Sequence, residues 1–191
     1  MNRQRERFWE LLKPQFAAAQ VFSRKLTGDR DTGDDLFQDA LVTGLRKFST
    51  LRDEESFRPW LYRIIVRTFI STARRPWWKR RVRLNEEMPL AALRYDPSNR
   101  HTARRWLQKA FEVLSPDDRA LVVLFELEEW TLAELAELYD RSEGSLKVRL
   151  FRARQKMRKA LQGYLKQGES EPKEPLEEGA AECGVMRPNP E

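Results

Sequence analysis

Hydrophobic residues recur along most of this chain at helical intervals, and polar or proline-bearing stretches break the recurrence into segments. Between residues 4 and 27, Phe8, Leu12, Phe16, Ala19 and Leu26 fall roughly on one side, as in an amphipathic helix. Pro14 predicts a helix start or a kink within that run, because proline lacks the amide that a helix interior needs. The stretch "TGDRDTGDD" then breaks the pattern with acids. Thr32 and Asp35 have capping-box spacing and predict a helix over about 33–48, with Leu36, Phe37, Ala40, Leu41, Leu45 and Phe48 buried. After the polar loop "STLRDEES", Ser56 or Glu55 opens a third helix whose stripe is Phe57, Trp60, Leu61, Ile64, Ile65, Thr68 and Phe69. Pro76 stops it.

Residues 76–103 lose periodicity and hold Pro76, Pro89 and Pro97, the composition of a linker. Trp77 and Trp78, beside arginines, suit stacking on unpaired bases, a lipid interface or plain packing. Periodicity returns near Arg104 with Trp106, Leu107, Ala110, Phe111 and Leu114. Ser115-Pro116-Asp117-Asp118 joins an N-cap, a proline at the first helical position and acids in the first turn. It opens a helix that buries Leu121, Val122, Leu124 and Phe125. From Thr131 the pattern predicts a short helix, a tight turn and a long helix. Thr131 and Glu134 form a capping box, Tyr139 to Arg141 break the pattern, and Ser142 caps the long helix. Leu146, Leu150, Ala153, Met157 and Leu161 make that helix's buried stripe. Beyond Gln162 the chain turns to Glu, Pro and Gly, a composition that does not fold. The expected fold is all-α: two small helical domains, over 4–75 and 104–165, joined by the 76–103 linker and followed by an acidic tail over 166–191.

Charge adds a direction to this picture. The net charge is +6, but residues 167–191 carry Lys173 and Arg187 against seven glutamates, so the body is more basic than the total suggests. A basic body favours a polyanionic partner, DNA before membrane. The start, "MNRQRERFWELLK", has no long apolar run, so neither a signal peptide nor direct membrane insertion is expected. The single cysteine, Cys183, fits a reducing cytoplasm. One cysteine and one histidine make no four-ligand zinc site, and His101 has no nucleophile to serve; a surface place in the linker explains it. No cofactor is expected.

The cations concentrate on the long helix. From Arg141 to Lys159 stand Arg141, Lys147, Arg149, Arg152, Arg154, Lys156, Arg158 and Lys159 against Glu143 alone. Such a helix can be a solvated basic face, or one that meets a membrane or partner. The capped helix before it, at the right distance, favours a DNA-binding helix-turn-helix. Asp34, Asp35 and Asp39 at the start of the second helix allow another reading, a Mg²⁺ site in a nucleic-acid-processing enzyme. Dipole complementation accounts for Asp34 and Asp35 but poorly for Asp39. A nuclease also needs a distant partner carboxylate, and none stands out.

The two-domain layout resembles the sigma-70 family of bacterial transcription initiation factors, in its short extracytoplasmic-function (ECF) group. In the first domain "LTGDRDTGDDLFQDAL" and "FRPWLYRIIVRTFISTARR" carry the likeness. In the second it is carried by "LSPDDRALVVLFELEEWTLAELAELYDRSEGSLKVRLFRARQKMRKAL". The resemblance implies partners: core RNA polymerase, through its β′ clamp and β subunit, promoter DNA, and often an anti-sigma factor. It implies that Asp35, Gln38 and Asp39, beside apolar Leu36 or Phe37, dock on the clamp coiled coil. It implies that the third helix and "LRDEES" open the −10 element, with Arg58, Arg63, Arg67, Arg74 and Arg75 along the DNA; Trp60, on the apolar stripe, is expected in the core. It implies that the long helix enters the major groove at the −35 element through Ser142, Glu143, Ser145, Lys147 and Arg149, with Arg152 and Lys156 on phosphates. Asp140 stands where the turn usually has glycine, and Val148 where the family often has a small polar residue. Thr68 and Ser71 replace an amide and an acid common in the third helix. The alternative function is a stand-alone helix-turn-helix regulator.

Overall fold

The computed structural model describes residues 2–74 and 99–169, with side chains over 3–74 and 106–163. Arg75, Trp77, Trp78, most of the predicted linker and the tail beyond Glu169 lie outside the described residues. Among the described residues every regular element is a helix.

Helix α1 (Asn2–Leu12) and α2 (Phe16–Thr27) are separated by a 3₁₀ turn, Lys13–Gln15, with Pro14 near its start. Proline's fixed φ and missing amide suit that break. Gly28 ends α2 at φ +79, and its N–H donates to the Arg24 carbonyl at 2.8 Å. Helix α3 (Arg30–Lys47) begins earlier than the Thr32 capping box implied. Asp29, in extended conformation, accepts from the Thr32 amide at 2.8 Å and caps the helix instead, so Thr32 lies inside it and is buried. Gly33 lets α2 and α3 cross in contact: a Cβ there would sit 2.5 Å from the Arg24 Cα. After a 3₁₀ turn at Phe48–Thr50, another, Glu54–Ser56, capped by Asp53, leads into α4 (Phe57–Ala73). Phe8 fills the centre of this bundle, edge-on to Phe48 and Phe57 at 5.5 and 5.8 Å. Trp60 packs against the same core, and its Nε1 donates to Thr50 Oγ1.

The second bundle contains α5 (Asn99–Glu112), α6 (Pro116–Leu127), α7 (Leu132–Tyr139) and α8 (Glu143–Glu169). Helix α5 starts inside the stretch read as linker, and His101 falls on it. Helix α8 also runs past Gln162, where helix was expected to give way. Helices α5, α6 and α7 pack on α8, whose Leu146, Leu150 and Ala153 are buried as its stripe predicts. Each fully buried leucine contributes about 1.5–3 kcal/mol of transfer free energy, so this seam sets where α8 points.

The bundles also touch. Helices α2 and α4 lie against α6 and α7, and the buried residues of both bundles form one continuous cluster. This contact widens the buried face of α4 beyond its periodic stripe. Tyr62, off that stripe, is buried against Trp130 of the second bundle.

Candidate nucleic-acid and partner interfaces

Both ends of the helix-turn-helix are built by local chemistry. Thr131 Oγ1 accepts from the Glu134 amide at 3.3 Å, and the Glu134 carboxylate accepts from the Thr131 amide at 2.7 Å, a closed capping box. The same Thr131 hydroxyl and amide hold the Glu134 carboxyl below the usual range. Asp140 ends α7 in the left-handed region, φ 53, and its N–H donates to the Ala136 carbonyl. The aspartate thus does the work of the usual glycine, at a steric cost. Ser142 Oγ then accepts from the Ser145 amide at 3.3 Å and starts α8.

The cations of α8 divide into two sets. Arg149 points into the domain. Its Nη2 donates to Asp117 at 2.6 Å and to Asp118 at 2.7 Å, and its Nε donates to Asp118 at 3.2 Å. Burial works against both charges, but the hydrogen bonds outweigh it: Arg149 is held up, and Asp118, bonded also by Ser115, is held down. Arg154 likewise turns to Glu126 and lies over the Phe125 ring at 5.5 Å. Arg149 was expected to read a base; with its side chain 26% exposed and its fork on two carboxylates, it instead clamps α8 to the first turn of α6. Ser142, Glu143, Ser145, Lys147, Arg152 and Lys156 are exposed, Lys156 reaching Asp118 only at 4.0 Å. Two apolar residues join them: Val148, 47% exposed, and Phe151, 61% exposed. A Cβ at Gly144 would meet nothing within 4 Å, so the start of α8 presents bare backbone.

On α4 the cations divide differently. Arg67 and Arg74 are exposed. Arg58 and Arg63 turn toward the second bundle: Arg58 lies over Trp130, and Arg63 donates to the Glu137 carbonyl. In the loop before α4, Glu54 is bound by Arg7 of α1, which holds its carboxyl low.

Helix α3 presents Asp35, Gln38, Asp39 and Val42 to solvent, an i, i+3, i+4, i+7 set on one face. Leu36, grouped with them as a docking residue, is 2% exposed and belongs to the core. It braces the helix from within. Asp34 is turned away as well, bound by Arg24 at 2.8 Å and by Gln20 at 3.0 Å.

Residues 20–79 match the family profile for Sigma-70 region 2, and residues 104–157 match that for Sigma-70 region 4. The RNA polymerase sigma-E factor of Streptomyces coelicolor is 31% identical over 143 residues, which cover 73% of this chain and 77% of that protein. The chain belongs to the sigma-70 family, in its ECF group. Also similar is the ECF RNA polymerase sigma factor SigM of Mycobacterium tuberculosis, 28% identical over 72% of this chain and 68% of that one. Two solved structures share the fold. One is the sigma factor RpoE in complex with the anti-sigma factor NepR, from Bartonella quintana (TM-score 0.57, 22% identity, 82% of this chain and 98% of that one). The other is CnrH in complex with the cytosolic domain of CnrY (TM-score 0.55, 20% identity, 87% and 91%). As a sigma factor the chain binds core RNA polymerase and directs it to promoters. Among the described residues no helix is long and apolar enough to cross a membrane.

Within this sigma factor, two features escaped the sequence reading. Phe151 lies off the buried stripe of α8, and an apolar residue at such a position signals a contact surface when its neighbours are cationic. Trp130 lies in a turn without periodicity, so nothing local marked it as buried.

Proposed function

We propose that the first domain docks on polymerase through Asp35, Gln38 and Asp39 of α3 and handles the −10 element with the α4 cations. The second domain reads the −35 element through the outward face of α8. The carrying observation is the division of α8: Arg149 turns inward onto Asp117 and Asp118 and Arg154 is tied at the surface to Glu126, while Ser145, Lys147, Val148, Phe151 and Arg152 face out beside a capped N-terminus. Exposed amides there suit a phosphate. Lys147 and Arg152 suit phosphates or a guanine edge, and Phe151 with Val148 suits thymine methyl groups. Arg149 positions the helix without touching a base. On α3, a small acidic and amide patch can pair with a basic coiled-coil surface and fix its orientation.

The chain acts by binding, with no catalytic residues of its own and in the cytoplasm with its polymerase; membership of a family of regulatory subunits supports both statements. An anti-sigma factor is a further partner class, supported by the fold shared with a sigma factor that binds one. A stand-alone regulator is not favoured, because the first domain also matches its sigma region.

Footprinting of reconstituted holoenzyme tests the assignment. Lys147→Ala with Arg152→Ala removes protection of the upstream element while core binding persists. Asp39→Arg removes core binding while the second domain's DNA contact persists. Upstream protection that survives the first pair overturns the α8 assignment, and unchanged core affinity overturns the α3 assignment.

A further inference from the structure

The loop that leads into α4 is gripped by a helix that it does not join. Residues 52–56 are exposed in one run, between the 3₁₀ turn Phe48–Thr50 and the buried Phe57 that starts α4. Several of its bonds are local. Asp53 accepts from the Glu55 amide at 3.2 Å and from the Ser56 hydroxyl at 3.4 Å. Trp60 Nε1 donates to Thr50 Oγ1 at 3.3 Å. A long-range grip comes from α1, 47 residues earlier. Arg7 Nε donates to Glu54 Oε1 at 2.7 Å, Arg7 Nη2 donates to Glu54 Oε2, and Arg7 Nη1 donates to Glu10 at 2.6 Å. The next residue, Phe8, is buried edge-on to Phe48 and Phe57, which flank the loop on either side. Phe8 thus fixes the two ends of the loop, and Arg7 fixes its middle.

An exposed ion pair of ordinary form contributes little. Here a planar guanidinium meets both oxygens of one carboxylate, and its third nitrogen is tied to a second acid. Such a fork fixes the plane of the carboxylate as well as its position. A lysine at position 7 would supply the charge without the fork. The hydrogen bonds from Arg7 also hold the Glu54 carboxyl below its usual range, so the acid is charged and countered in place.

We infer, on the reading that the first domain handles the −10 element through α4 and the loop before it, that Arg7 is a positioning residue for promoter recognition. Through Glu54 it sets residues 52–56 against the DNA and keeps an acidic acceptor off the bases. A free carboxylate beside a DNA strand repels phosphates and accepts from the exocyclic amino groups of cytosine and adenine. Held on Arg7, both Glu54 oxygens already accept from the guanidinium. Arg52 and Glu55, exposed to either side, are then the loop side chains that a base meets. Without Arg7, Glu54 adds an acceptor and an uncountered charge beside them.

The test uses holoenzyme reconstituted from core polymerase and the full chain, on a promoter located by mapping transcript starts. Each −10 position is varied through all four bases, and transcript yield ranks them. Arg7→Ala should leave core affinity within about twofold of the parent, because an exposed pair contributes little to folding. It should shift the ranking at one −10 position toward cytosine or adenine by about fivefold, the low end of what one hydrogen-bonded base contact discriminates. Arg7→Lys should shift it in the same direction. In a Glu54→Ala background, Arg7→Ala should change the ranking no further, because the two residues act as one unit. A role confined to folding would lower yield on every promoter alike and leave the ranking unchanged. An unchanged ranking in Arg7→Ala, or a shift just as large in the Glu54→Ala background, overturns the inference. Arg52→Ala and Glu55→Ala show which premise has failed. If they shift the ranking while Arg7→Ala does not, Arg7 loses its role and the −10 reading stands. If none of the three shifts it, the −10 reading of the loop falls, and the role of Arg7 falls with it.

Discussion

Helices α4 and α8 both carry rows of arginine, and the fold treats the two rows differently. On α8 two arginines find acids within their own domain: Arg149 turns inward to Asp117 and Asp118, and the exposed Arg154 meets Glu126. Lys147, Arg152, Lys156, Arg158 and Lys159 are exposed to solvent. On α4 the turned-in arginines meet the other domain, through Trp130, Glu134 and the Glu137 carbonyl. A partner within the domain makes an arginine permanent scaffold. A partner across the domains instead ties it into the seam between them. The number of arginines on a helix therefore says little about how many can reach DNA, because the location of the acids decides that.

The largest expected effect separates scaffold from reader. Arg149→Ala should cost about 2 kcal/mol of stability, mostly by leaving Asp118 short of partners, with the more exposed Asp117 adding little. Chemical denaturation checks this. DNA affinity should fall on all sequences alike, because the substitution displaces the helix and removes no group that touches a base. A loss confined to one base pair would return Arg149 to the readers.

Acid probes the same clamp. Asp118 has a folded pKa below its ordinary value because hydrogen bonds from Arg149 and Ser115 outweigh its burial. Its contribution is therefore fully present above the ordinary carboxylate range and is lost as pH falls through the depressed value. Asp34, held low by Arg24, behaves the same way in the first domain. Unfolding curves between neutral pH and about pH 3 should show this loss. In Arg149→Ala the share due to Asp118 should disappear while the share due to Asp34 remains.

A smaller gain is expected at the turn. Asp140→Gly relieves left-handed strain at φ 53 and should stabilise the chain by about 0.5–1 kcal/mol, the strain removed less the added chain entropy. Thermal melting measures it. The smallest effects on stability belong to the solvent face. Lys147→Ala, Phe151→Ala and Arg152→Ala should each stay within about 0.5 kcal/mol of the parent. On DNA they should differ. Each cation removed from a phosphate lowers the salt slope by about 1, whereas removal of the Phe151 ring should weaken binding only where thymine lies beneath it.

Much of this was legible before any coordinates. The caps at Ser115, Thr131 and Ser142 and the buried stripe of α8 follow from short-range chemistry, and the fold keeps them. The acidic face of α3 was legible as composition, but Leu36 was grouped with it by adjacency although one helical step turns it inward. Asp29 took the cap from Thr32 because the extended backbone after Gly28 put its carboxylate against the Thr32 amide. Arg149 and Trp130 were illegible for a deeper reason. Their partners stand at Asp117 and Tyr62, and no spacing rule spans such separations.

Helix α6 can also be viewed as a mechanical part. Its first turn grips α8 through Asp117 and Asp118, and its far end, at Leu127 and Glu128, grips α2 through Lys25. The whole helix has twelve residues, a rod about 18 Å long at 1.5 Å per residue, with one grip in its first turn and the other at its end. A stiff rod pinned at both ends transmits displacement with little attenuation. A displacement of α8 is therefore passed on to α2 as well.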